Sequence, residues 1–126
     1  MSDKSLFVDH TEGRPLRQEE RELVGALLKG HHAIKSLSCE LDVARVKDMD
    51  DGGMGSVRFV RGNDTPGFGK TLAEARYTDA DGKLVSIALN CDHLGNIFEM
   101  DFWKVDFSPL KRYPVPSVVE IIEETP

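Results

Sequence analysis

Two periodicities divide the chain. From Pro15, the apolar residues Leu16, Leu23, Val24, Leu27 and Leu28 recur at helical spacing, and proline suits a first turn. Gln18, Glu19 and Glu20 place acid near the positive end of a helix dipole and Gly30 reads as a stop, so a helix is predicted over about 15 to 29. Beyond it, Ile34, Leu37 and Leu41 fall at intervals of three and four, the pattern of a second, shorter helix leaning on the same core.

From Val43 the period drops to two. VARVKDM and SVRFVR flank the turn Asp50, Asp51, Gly52 and Gly53, which predicts a hairpin. The Gly-rich loop Gly62 to Lys70 leads to three further strands, about 71 to 78, 84 to 90 and 96 to 105, with turns at Asp79 to Gly82 and Cys91 to Gly95. In the middle strand Val85, Ile87 and Leu89 alternate with Ser86, Ala88 and Asn90, as a sheet with one covered face requires. The predicted fold class is therefore α+β, with one or two N-terminal helices packed on a five-stranded antiparallel meander sheet. Residues 1–13 read as a flexible arm, 14–114 as a single domain and 115–126 as a C-terminal tail. In that tail Val118, Ile121 and Ile122 fit a short helix capped by Ser117, while Val115, Val119 and Ile121 fit a strand. Both readings stay open, as does a homodimer in which the apolar tail completes a neighbouring subunit.

Composition narrows the function classes. A chain of 126 residues is the size of one domain, and 40% hydrophobic with 30% charged residues is close to the globular average. The net charge of −6, from 22 acidic and 16 basic side chains, argues against sequence-independent nucleic-acid binding and fits a basic protein partner better. No basic segment followed by a long apolar run opens the sequence, and no stretch approaches about 18 apolar residues, so cytoplasmic residence without membrane insertion is expected. Cys39 and Cys91 lie far apart with no CxxC spacing, so two reduced thiols are expected rather than a disulfide framework or zinc site.

The segment Asp101 to Pro114, DFWKVDFSPLKRYP, holds the single Trp and interleaves aromatic with charged residues. Alternation places Phe98, Met100 and Phe102 on the covered face and Glu99, Asp101, Trp103, Val105 and Phe107 together on the other. Trp103 is the switch point. A regular strand leaves it exposed beside acids, whereas a bulge near Phe102 or Trp103 would swing it into the core. This run, with RPLRQEE at Arg14 to Glu20 and DMDDGGMGS at Asp48 to Ser56, resembles a family of small bacterial proteins described only as a domain of unknown function, over about Arg14 to Pro114. The resemblance implies a compact bacterial domain and carries over no functional residue.

Several tempting chemistries fail on spacing. DTPGFGKT ends like a phosphate-binding loop, but Asp64 stands where its first Gly is needed, and a sheet of hairpins leaves no room for parallel crossovers. The acidic turns beginning at Asp48 and Asp79 would close a calcium loop at Phe59 and Asn90, neither a bidentate carboxylate, so plain turns are expected. His31 and His32 point about 100° apart on a helix, and Cys91 stands too near His93 in sequence for known zinc spacings. Glu99 and Asp101 share a face at roughly 6 to 7 Å, a separation that suits an acid and base pair but equally a solvated strand edge. No catalytic residue, metal site or cofactor is assigned.

The expectation is a non-catalytic interaction protein, immunity-like or regulatory, that binds a protein partner through Glu99, Asp101, Trp103, Lys104 and Asp106. The alternative is a small hydrolase or ligand-binding domain with a site between the 62–70 and 91–96 loops, drawing on Cys91 and His93.

Overall fold

The computed structural model describes residues 13–29, 41, 43–60 and 67–122. The elements are β1 (Arg14–Pro15), α1 (Gln18–Leu27), β2 (Arg45–Asp48), β3 (Val57–Phe59), β4 (Phe68–Thr78), β5 (Leu84–Asp92), β6 (Ile97–Lys104), a 3-10 turn (Pro116–Val118) and β7 (Glu120–Ile122). The strands form one seven-stranded sheet in the order β1-β2-β3-β6-β5-β4-β7, and every pairing is antiparallel.

The α+β class and the antiparallel sheet match expectation, and the strand count and connection do not. β4, β5 and β6 form a meander as predicted, but β3 hydrogen-bonds to β6, not to β4. Two short edge strands also join. Pro15, expected in the first helical turn, instead pairs with Arg45, and the helix begins after Arg17. The tail, expected to lie outside the domain, takes a 3-10 turn and then adds β7 alongside β4, where Ala75 faces Ile121. The predicted second helix at 31–41 lies outside the described residues apart from Leu41, which is buried.

α1 covers one face of the sheet. Its Leu23, Val24 and Leu27 sit on Val46, Val57, Ile87, Leu89, Met100 and Phe102 in one core cluster, so truncating Leu23 to Ala should cost about 2 to 5 kcal/mol. Three bulges shape the sheet. In β4 the register slips at Gly69 and again at Leu72, because Phe68 and Lys70 face consecutive residues of β5, as do Thr71 and Ala73. Only glycine fits at 69, since a Cβ there would lie 2.5 Å from the Asp92 carbonyl carbon and oxygen. The third bulge, at Phe98 in β6, overturns the expectation that Phe98 lies inside. Asn90 pairs with Glu99 but Cys91 with Ile97, so the alternation inverts there; Ile97 is buried and Phe98 stands half-buried beneath the Arg58 guanidinium, 4.9 Å from the ring centre.

Candidate functional site

Beyond Phe98, β6 keeps its alternation, and that decides where Trp103 lies. Ile87 faces Phe102 and Ser86 faces Trp103 with no slip between them, so Met100 and Phe102 point into the core. Trp103 therefore stands on the open face with 46% of its surface accessible. The open face has two clear rows here. Trp103, Ser86, Arg76 and Glu120 run across β6, β5, β4 and β7, and Asp101, Ala88, Glu74 and Ile122 run beside them.

At the end of β6 the chain turns sharply, with the Phe107 N–H donating to the Lys104 carbonyl at 2.9 Å. The reversal puts Phe107 at φ 62°, a left-handed conformation that costs a bulky residue about 1 to 2 kcal/mol and that glycine or asparagine adopts more readily. Phe107 is nonetheless 64% exposed, and its ring meets Trp103 edge to face, with centroids 5.8 Å apart and planes at 74°. Exposed Val105 and Leu84 flank the pair, and the Val105 N–H donates to the Leu84 carbonyl. The result is an exposed apolar platform centred on the aromatic pair, with Phe107 on strained backbone.

Two turns clamp the loop that carries Phe107. On one side the Leu110 N–H donates to the Gly53 carbonyl at 3.1 Å, and Leu110 packs so closely on Gly55 that a Cβ there would lie 3.1 Å from its side chain. On the other side Lys104 Nζ donates to Asp79 Oδ2 at 2.8 Å, Asp81 Oδ2 at 2.7 Å and the Pro109 carbonyl at 3.0 Å. Asp79 also accepts from the Ala80, Lys111 and Arg112 amides. Burial is the largest influence on the Asp79 carboxyl and opposes its ionisation, yet these donors together hold its pKa down to about 2.

The predicted binding residues therefore divide. Asp101 and Trp103 lie on the open face. Lys104 does not: it faces inward, fully enclosed, and all three ammonium hydrogens have acceptors. Asp106 is exposed beside Phe107 and uses Oδ1 to accept the Ser108 amide and hydroxyl, so it shapes the turn. Glu99 is largely covered and accepts from Arg58 at 3.2 Å and Asn90 Nδ2 at 3.2 Å, within a polar row that Thr71 extends. Asp101 has one neutral partner, the Ser56 hydroxyl at 3.1 Å. Burial pushes its carboxyl pKa up, Ser56 opposes this, and Glu99 and Asp51 add to it by repulsion.

A second charge cluster, with one enclosed member, lies at the start of α1. Glu20, expected only to complement the helix dipole, is fully enclosed; Arg14 holds it at 2.8 and 2.9 Å, the Arg17 amide donates to it at 2.8 Å, and Arg14 also reaches Asp48 at 2.7 Å. These bonds tie the start of α1 to β2 across β1.

A family model matches residues 13–114, a span that contains both ion clusters and the aromatic pair. The chain belongs to that family, a domain of unknown function designated DUF6984. No curated protein and no solved structure matches it. In this DUF6984 chain the remaining chemical candidates are dispersed. Cys91 is buried on the core side of β5, while His93 is exposed in the following turn. Gly69 does bring the start of β4 against that turn, but residues 61–66 of the Gly-rich loop and both His31 and His32 lie outside the described residues. Gly69, Lys70 and Thr71 are strand residues of β4, not a loop before a helix. Among the described residues, no group of three or more His, Cys, Asp or Glu is arranged to hold a metal, and no helix is long and apolar enough to cross a membrane. A cleft of about 220 Å³ between Tyr77, Tyr113, Val115 and Val118 includes Asp79, but that carboxylate is already saturated by its four donors.

Proposed function

We propose that this chain is a non-catalytic interaction domain, regulatory or immunity-like, that docks a protein partner on the open sheet face around Trp103. One observation carries the reading: Trp103 and Phe107 pack against each other in the open, and Phe107 does so at φ 62°. An aromatic pair kept exposed at a conformational cost contributes little to folding, whereas Trp and neighbouring aromatics are the residues that dominate binding energy at protein interfaces. The loop beneath them is pinned by Lys104, Asp79 and Gly53, so the platform is ordered before contact and little entropy is lost on docking.

The test is affinity capture from the native host with wild-type chain, Trp103→Ala and Asp101→Lys in parallel. A stoichiometric protein retained by wild type and lost by both variants supports the reading. Equal retention by all three would move the site elsewhere on the molecule.

A further inference from the structure

Resting on the sheet-face reading, we propose that the corner between Trp103 and Phe107 seats a cationic side chain, Arg or Lys, of a basic peptide segment of the partner, with Asp101 as its counter-charge. The rings meet edge to face at 74° with centroids 5.8 Å apart, so one ring stands against the face of the other and the two bound a corner, and both rings are solvent-exposed. Aromatic faces carry negative potential, and a corner of two attracts a cation more than either ring does alone. Asp101 lies two residues before Trp103 on the same strand face, roughly 6 to 7 Å away, within the reach of an Arg or Lys side chain.

The charges of the face favour that occupant. Arg58 is committed to Glu99 and Arg76 to Glu120, each at 3.2 Å. Asp101 receives only the Ser56 hydroxyl and has Glu99 and Asp51 as neighbours, so a carboxylate on the open face lacks a cation among the described residues. Asp106, beside Phe107, already bonds Ser108 and has Lys83 and Lys104 as neighbouring cations, so Asp101 is the carboxylate left to pair with the partner. A second copy of the chain fits poorly, because it would bring another −6 charge and the same acids to the contact. A basic segment with apolar flanks satisfies both the platform and the acid.

The experiment is selection of short random peptides displayed on phage against the full chain, with parallel selection against Trp103→Ala. Peptides that depend on Trp103 and are enriched in Arg or Lys next to apolar residues are the expected result. For such a peptide, titration should show Trp103→Ala weakening binding by at least about tenfold and Asp101→Asn by about fivefold. Trp103-dependent peptides without basic residues, or with affinity untouched by Asp101→Asn, would overturn the cation site and leave the sheet-face reading standing. Binders indifferent to Trp103→Ala, or no binders, would overturn both. Retention of the wild-type melting temperature by both variants separates lost contact from lost fold.

Discussion

Lys104 Nζ lies 2.8 Å from Asp79 Oδ2, and both side chains are completely enclosed. The pair joins the end of β6 to the β4–β5 turn and, through the Pro109 carbonyl and the Lys111 and Arg112 amides, to the loop that presents Phe107. Removing one partner strands the other charge in the interior, which is far costlier than removing both. Lys104→Met is expected to lower the melting temperature on the order of 10 °C, and Lys104→Met with Asp79→Asn to cost less than the sum of the two single changes. Thermal unfolding followed by circular dichroism measures both. Equal melting temperatures for the wild type and the single variant would show that the pair is not enclosed as described.

The same pair is expected to add to acid sensitivity. A carboxyl held at about 2 when folded and near its ordinary 3.8 when unfolded contributes stability that is complete above pH about 4 and disappears as pH falls toward 2. Glu20 acts in the same direction. Burial opposes its ionisation most strongly, but Arg14 and the Arg17 amide outweigh burial and lower its pKa. Lys104 has the opposite sign: burial disfavours its charge, Asp79 and Asp81 outweigh it, and the stability it adds is lost only as pH rises beyond the ordinary lysine range. Urea midpoints should therefore be flat across neutral pH and fall steeply below pH about 4. In Asp79→Asn that acid slope should be shallower.

Much of this architecture was legible in the sequence because burial writes a period. The helix stripe of Leu23, Val24 and Leu27, the hairpin around Gly52 and Gly53, and the alternation of Val85, Ile87 and Leu89 all follow from one covered face. What was missed depends on departures from the period or on distant partners. The bulge at Phe98 inverts the alternation without a glycine or proline to announce it. Three-residue β7 and two-residue β1 are too short to show a period, and the pairing of β3 with β6 joins strands far apart in sequence. Lys104 carried a signal that could have been used: continuing Met100 and Phe102 by two places puts it inside, and a buried lysine requires carboxylates, which the acidic turn of Asp79 and Asp81 supplies. Glu20 likewise lies three residues from Leu23 and four from Val24, on the buried stripe of its helix.

Trp103 is the only tryptophan, so its fluorescence reports this one place on the sheet. With nearly half its surface accessible, it should be quenched by acrylamide in a single phase and at a rate approaching that of the urea-unfolded chain. Weak quenching would instead place the indole in the core and remove the platform. Addition of a basic peptide that binds should protect Trp103 from the quencher.

Phe107 separates what serves folding from what serves contact. At φ 62° its side chain is disfavoured relative to asparagine, and its exposed ring has little burial to lose. Phe107→Asn should therefore leave the fold intact and raise stability by about 0.5 to 1 kcal/mol, visible as a higher urea midpoint at unchanged slope. Asp101→Asn should be neutral to slightly favourable, because the change relieves repulsion by Glu99 and Asp51 and keeps an acceptor for Ser56. If both variants bind basic peptides less well while folding as stably as the wild type or more so, the residues are kept for contact at the expense of stability. A loss of stability in Phe107→Asn would mean that the ring is needed to hold Trp103 and the turn together, and the strain would then belong to the fold.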